Sequence, residues 1–228
     1  MVRLIEISKA VGTEDKIHYI IKNISFSLDT GKLAVISGRS GAGKTTLLHL
    51  IAGLDVPTDG ECWIDEICIS KLDSEKRARF RLENIGFVFQ SFNFLPSLTI
   101  AENISVPAYL NNGIKNSDIE RKVKSITKIL GINSLFDRYP DEVSGGEIQR
   151  ASIARALINS PKIILADEPT GNLDTENREI VLQSFKKIID EFGVTVLMAT
   201  HDKELERSAD TIFHLNDGAL LNYNKLYE

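Results

Sequence analysis

Short apolar runs alternate along this chain with stretches of helical spacing. Leu33-Ala34-Val35-Ile36, Ile85-Gly86-Phe87-Val88-Phe89, Ile163-Ile164-Leu165-Ala166 and Val194-Thr195-Val196-Leu197-Met198-Ala199 are each continuous and rich in β-branched or aromatic residues. Such runs read as strands buried on both faces, in a mainly parallel sheet covered by helices. Ahead of them, 2–9 and 16–28 have strand character around a polar turn, Gly12 to Asp15, and Asp29-Thr30-Gly31 leads into the run at 33–36. A helical stretch from Thr46 stops at Gly53. A turn over Pro57-Thr58-Asp59-Gly60, strand character over 61–69 and a short helix at 73–82 follow.

Beyond residue 91, apolar spacing of three and four predicts helices near 99–110, 116–130 and 147–159, a helical block inserted between strands. A helix over 175–192 joins the last two apolar runs, a further strand covers 211–215, and 220–228 carries little pattern. Ligands of parallel sheets lie beyond the carboxyl ends of the strands. Polar groups follow the apolar runs at those ends: a glycine-rich loop after 33–37, Gln90, the pair Asp167-Glu168, and Thr200-His201. They are expected to converge on one crevice.

Composition narrows the partners. The 228 residues are 43% hydrophobic and 26% charged, ordinary for a soluble domain. Neither a bilayer-spanning run nor the charged and apolar regions of a signal peptide are present, so the expected place is the cytosol or, through a partner, the membrane face. A net charge of −5 argues against broad nucleic-acid binding. The basic run Lys76-Arg77-Ala78-Arg79-Phe80-Arg81 reads as a solvated helix face. Cys62 and Cys68 lack histidine partners at ligand spacing and read as reduced, small hydrophobes.

The loop after 33–37 carries the chemistry. Gly38-Arg39-Ser40-Gly41-Ala42-Gly43-Lys44-Thr45, continued by Thr46, lies between a strand and a helix, the context that makes G-x-x-x-x-G-K-T a phosphate-binding loop. Its glycines let backbone N–H groups point inward, and the helix adds its positive end. Lys44 supplies an ammonium for the outer phosphates of a nucleoside triphosphate, and Thr45 a hydroxyl for Mg²⁺. Asp167 suits the metal side, Glu168 the attacking water, Gln90 both metal and water, and His201 the γ-phosphate. A second glycine-rich element, Ser144-Gly145-Gly146-Glu147, has the spacing of a capping box. Two glycines in a first helical turn weaken it by roughly 1 kcal/mol each, which makes sense if backbone N–H groups must meet an anion closely.

Val-Ser-Gly-Gly-Glu-Ile-Gln-Arg (143–150), with that loop upstream and Leu-Ala-Asp-Glu-Pro-Thr-Gly-Asn-Leu-Asp (165–174) downstream, resembles the ATP-binding-cassette (ABC) ATPases over nearly the whole chain. The resemblance implies a P-loop NTPase fold (α/β) of one ABC ATPase domain, 1–228, in which 1–90 and 161–228 form a mainly parallel core sheet plus an N-terminal antiparallel β subdomain, and 91–160 an inserted helical subdomain with the signature motif. It implies ATP and Mg²⁺ as ligands. It also implies a head-to-tail homodimer in which Ser144, Gly145 and Gly146 cap the ATP on the other copy's P-loop. Asn172-Leu173-Asp174 would communicate across that interface, and Gln90 would begin the segment that senses a separate membrane permease. Leu47 to Asp55, Gly86 to Pro96 and Ala166 to Asp174 are similar to the branch of lipoprotein-release, macrolide-efflux and bacitracin-type peptide-resistance ATPases. Phe92, Phe94, Leu95 and Pro96 are then expected to help line the groove for the permease.

Two positions depart from the family pattern. Val11 stands where an aromatic residue stacks on adenine, which leaves Tyr19 or His18 as substitutes, and Val143 replaces a leucine before the signature serine. Other members of the family act on DNA or ribosomes, but this chain shows no sustained heptads and few cysteines. A cell-division-type relative that regulates a cell-wall enzyme would carry the same motifs.

Overall fold

A computed structural model describes residues 1–13, 16–111, 115–171 and 173–225. Its backbone divides into two units, Met1–Arg81 with Thr195–Glu228, and Leu82–Val194.

The first unit is organised on β3 (Leu33–Ser37), buried at every position. β3 runs parallel to β8 (Thr195–Thr200) on one side and β9 (Thr211–Asn216) on the other, while β10 (Ala219–Lys225) is antiparallel to β9. Burial on both faces explains why β3 and β8 read as unbroken apolar runs. α1 (Lys44–Ile51) buries Leu47, Leu48, Leu50 and Ile51. A second, antiparallel sheet has the order β2, β1, β4, β5, formed by β1 (Val2–Thr13), β2 (Lys16–Leu28), β4 (Asp59–Ile64) and β5 (Ile67–Cys68). Its inward residues include Leu4, Ile7, Ile24 and Phe26, and the Phe26 ring lies 4.1 Å from that of Phe213 on β9.

Several local expectations change here. β1 continues through Gly12 to Thr13, and the rest of the expected turn, residues 14 and 15, lies outside the described residues. Asp59 and Gly60 belong to β4 rather than to a turn. The single strand expected over 61–69 is a hairpin: Asp65-Glu66 turns the chain, Ile64 pairs with Ile67, and Asp65 sits at φ 52° with its N–H on Met1 O. α2 (Ser74–Asn84) carries the basic run, and two of its arginines are spent within the fold. Arg77 donates to Leu72 O and Arg81 to Gly53 O, each at 2.9 Å. Cys62 is buried and Cys68 partly so, both free thiols, and burial pushes the Cys62 thiol pKa up.

The second unit holds the parallel pair β6 (Ile85–Val88) and β7 (Ile163–Asp167) with four long helices. These are α3 (Ile100–Tyr109), α4 (Asn116–Ile129), α5 (Gly145–Leu157) and α6 (Thr175–Phe192), close to the expected spans. Each of three helix starts has a side-chain cap, from Thr99, Ser144 and Asp174, and α6 ends where Gly193 turns left-handed at φ 63°. α5 presses on β6 so closely that a Cβ on Gly86 would lie 2.4 Å from Ala156 O. In the first unit a short helix, α7 (Lys203–Arg207), follows β8; five residues are too few to show a period in the sequence.

Candidate functional site

Strand register decides which predicted groups emerge together. Ser37 is the partner of Thr200 across β3 and β8, so the glycine-rich loop and His201 leave neighbouring strand ends in the first unit. Val88 is the partner of Ala166 across β6 and β7, so Gln90 and Asp167-Glu168 leave neighbouring ends in the second. The expected strand-end groups therefore come as two pairs.

In the first unit, Gly41 and Gly43 adopt φ 80° and 101°, a left-handed region that side chains disfavour. Gly38 is fixed by space instead, since a Cβ there would lie 2.3 Å from Leu215 O. Gly43 is the N-cap of α1, no side chain caps that helix, and its first turn holds no acid. The N-terminal N–H groups thus have no capping side chain, and the positive end of the helix dipole makes this helix start a ready seat for an anion. Lys44 is buried, and its ammonium donates to Gly38 O at 2.8 Å and Arg39 O at 3.3 Å. Arg39, Ser40 and Thr45 are exposed, Ala42 is buried and Thr46 half-buried. The loop is braced from outside by Gly218, whose N–H donates to Ala42 O. His201 is exposed; the N–H of Asp202 returns to Thr200 Oγ1, and the Asp202 carboxylate caps α7 at Glu204. From α7, Glu206 accepts a hydrogen bond from Ser37 Oγ, tying the segment after His201 to the strand that feeds the loop. No sequence signal marks Glu206, because the bond joins residues far apart in the chain.

In the second unit, Asp167 ends β7 and is buried, with Glu168 half-buried beyond it. Glu168 sits at φ 44°, and Pro169 disfavours right-handed helical geometry for the residue before it. A non-glycine residue held left-handed costs roughly 1–2 kcal/mol. Gly171 donates its N–H to Glu168 O, and the place a Cβ would take on Gly171 is 3.7 Å from Glu168 Cβ and 3.8 Å from Gln90 Nε2. The Gln90 amide and the base of the Glu168 side chain therefore flank one small glycine.

The start of α5 forms a capping box with a further bond. Glu147 Oε2 accepts from Ser144 N at 2.8 Å and from Ser144 Oγ at 2.7 Å, while Glu147 N donates back to Ser144 Oγ at 3.4 Å. These bonds, the backbone one first, hold the Glu147 carboxyl below its ordinary pKa. Ser144 and Gly145 are exposed, but Gly146 is buried. A Cβ on Gly146 would lie 2.1 Å from Asn177 Oδ1, whereas one on Gly145 would meet only Leu173 Cδ2, at 3.4 Å. Gly146 thus has a packing reason to be glycine, and Asn177, which the sequence did not flag, supplies it. Asn177 in turn donates Nδ2 to both Asp174 oxygens and its N–H to Oδ1, and these bonds, the backbone one first, lower the Asp174 pKa. Residues 144–146 and 173–177 make one packed corner; Asn172 lies outside the described residues.

Two expected surfaces are also defined. Across β1 and β2, Val11 pairs with His18 and Ala10 with Tyr19, so His18, not Tyr19, shares the face of Val11. Val11 and Tyr19 are 44% and 46% exposed. In the segment after Gln90, Leu95 and Pro96 face outward, with Leu95 51% exposed, whereas Phe92 and Phe94 are half-buried.

Known proteins share this arrangement. A family model described as ABC transporter matches residues 21–171. The chain is 39% identical over 220 residues to the lipoprotein-releasing system ATP-binding protein LolD of Bacteroides thetaiotaomicron, covering 96% of this chain and 99% of that one. It is 40% identical over 225 residues to the macrolide export ATP-binding/permease protein MacB of Campylobacter jejuni, covering 99% of this chain but 34% of that protein. Among solved structures, the dimeric cassette MJ0796 superposes with a TM-score of 0.90 at 37% identity and full coverage of both chains, and the same figures hold for its post-hydrolysis state bound to ADP and Pi. Family match, full-length relatives and fold agree with the loop, strand-end and signature geometry: this chain belongs to the ABC transporter family, as an ATP-binding, ATP-hydrolysing cassette.

Proposed function

We propose that this cassette drives a separate membrane permease of the lipoprotein-release, macrolide-efflux or peptide-resistance kind, by closing head-to-tail with a second copy on two Mg·ATP. The observation that carries the reading is the signature corner, where Ser144 and Gly145 stand exposed at the start of α5 with Gly146 and Leu173 buried behind them. That corner offers the first-turn N–H groups of Gly145 and Gly146 to an anion brought by another molecule. The dimeric relative and the fused ATP-binding/permease relative support the partners. Among the described residues no helix is long and apolar enough to cross a membrane. In this reading the permease docks on Leu95 and Pro96, which stand exposed.

In this reading the α1 N-terminus, Lys44 and Thr46 hold the phosphates of ATP, and Ser144, Gly145 and Gly146 of the second copy close over them, with Asp174 at the interface. Thr45, Gln90 and Asp167 supply hard oxygen donors for Mg²⁺. An ion held this way completes its shell with phosphate and water. When bound, that ion neutralises charge on the phosphate oxygens. Glu168 accepts a proton from the water attacking the γ-phosphorus as the bond to the β–γ bridging oxygen breaks, and His201 steadies the γ-phosphate. His18 offers the base a flat face beside Val11.

Glu168→Gln tests the model. With turnover lost and ATP binding kept, light scattering at saturating Mg·ATP should report a dimer, and Ser144→Arg added to that protein should restore the monomer. A Glu168→Gln protein that binds ATP yet stays monomeric refutes closure by the chain alone.

A further inference from the structure

The segment from Gln90 to Thr99, between β6 and α3, is irregular, and polar side chains from two different helices hold its backbone. Arg155, near the C-terminal end of α5, donates Nη1 to Asn93 O at 2.7 Å and Nη2 to Phe92 O, and its guanidinium carbon lies 4.5 Å from the centre of the Phe94 ring. Asn93 sits left-handed at φ 53°, and both carbonyls reach the same guanidinium. Asn103 on α3 is buried, accepts from Leu95 N, and donates to the carbonyls of Leu95, Leu98 and Thr99. Leu95 and Pro96 are presented outward between these two anchors.

The two anchors differ in kind. Asn103 is neutral and saturates its amide within its own turn of chain, as a structural clamp does. Arg155 is a cation placed where burial pushes its pKa down to about 10. Burying a charge is costly, and a neutral amide could have held one carbonyl. A guanidinium reaches two successive carbonyls with one rigid plane while lying on an aromatic face, which a lysine ammonium cannot do. The element it reaches from is α5, whose other end carries Ser144 and whose interior is packed against β6, α3 and α6. A well-packed helix moves as a body.

We propose that Arg155 is a positioning residue that makes the segment 92–94 travel with the signature helix, so that closure of Ser144 on ATP and the placement of Leu95 and Pro96 are one motion. The inference rests on the proposed reading of the signature corner and of Leu95-Pro96, and it runs both ways: whatever displaces 92–94 biases the signature corner equally.

Hydrogen exchange by mass spectrometry tests it in the full-length Glu168→Gln chain with and without Mg·ATP. Mg·ATP should slow exchange across 92–95 by at least about fivefold, the lower range of coupling between sites. Arg155→Lys, which keeps the charge, and Phe94→Leu, which removes only the ring face, should each shrink that ratio towards one. Protection of the loop 38–46 and the calorimetric ATP affinity should stay as in the parent. A merely structural Arg155 would raise exchange at 92–95 equally in both conditions and leave the ratio intact, which overturns the proposal. So does a parent whose 92–95 exchange ignores Mg·ATP. A missing dimer by light scattering, by contrast, counts against the proposed function.

Discussion

Gly145 and Gly146 should respond in opposite ways to the same substitution. In Gly146→Ala the new methyl is placed 2.1 Å from Asn177 Oδ1, 2.7 Å from its Cγ and 3.2 Å from its Cβ. Asn177 must rotate away, giving up two bonds to Asp174 at 3.0 and 2.9 Å. Those bonds are exposed, so their loss adds little. Overpacking against the remaining Cβ adds roughly 1–3 kcal/mol. Replacing glycine in a helix returns about 0.5–1 kcal/mol. The balance is a net loss of up to about 2 kcal/mol. For Gly145→Ala the nearest atom is Leu173 Cδ2 at 3.4 Å, an ordinary contact, so the helix gain stands nearly alone and the variant should match or exceed the parent.

Urea denaturation followed by circular dichroism measures both. Asn177→Ala supplies the control, because it removes the two nearest atoms of the clash. In that background Gly146→Ala should lose most of its cost, a coupling of about 1–2 kcal/mol for residues in direct contact. Equal stabilities for the two alanine variants, or no coupling to Asn177, would refute the packing account. The functional half separates from this. Gly145→Ala should be stably folded yet impaired in ATP-driven dimerisation when combined with Glu168→Gln, because Gly145 is the exposed member of the pair.

Other outcomes follow from single contacts. Lys44→Ala removes a charged donor now held by Gly38 O and Arg39 O and should weaken ATP binding about 10- to 100-fold by calorimetry; unchanged affinity would discredit the loop as the phosphate site. His18→Ala should raise KM for ATP roughly fivefold or more, as expected for a lost base stack, while Tyr19→Ala on the opposite face leaves it unchanged; the reverse order would reassign the base. Glu147 has a folded pKa below its unfolded value, so its contribution is present above the unfolded pKa of about 4.3 and is lost as pH falls through the folded one. The stability gap between the parent and Glu147→Gln should accordingly be constant above about pH 5 and close under more acid conditions, and a gap independent of pH would remove the carboxylate from the cap.

Periodicity and spacing reached far into this molecule because its fold is dominated by signals that act locally. The apolar runs at 33–36 and 163–166 are strands because they are buried on both faces, and α6 spans the predicted 175–192 because Asp174 and Gly193 bound it as cap and stop. Local chemistry also marked the capping box of Ser144 and Glu147, closed within a span of four positions. What escaped was set by partners remote in sequence. β10 carries little apolar pattern and exists through pairing with β9, and the turn at Asp65 is fixed by Met1 O. The case of Gly146 shows why the same residue can be read correctly as special and still be given an incomplete reason. A double glycine in a first turn announces a close approach, but sequence cannot say to what, and the approaching group is Asn177, a full helix start away. The sequence carried one usable hint of the same kind for Arg155: a single cation inside the apolar stretch Ile153-Ala154-Arg155-Ala156-Leu157, where burial is expected and a charge is costly. A charge in such a place calls for a partner, and the fold answers with two backbone carbonyls and a ring from the segment that follows Gln90.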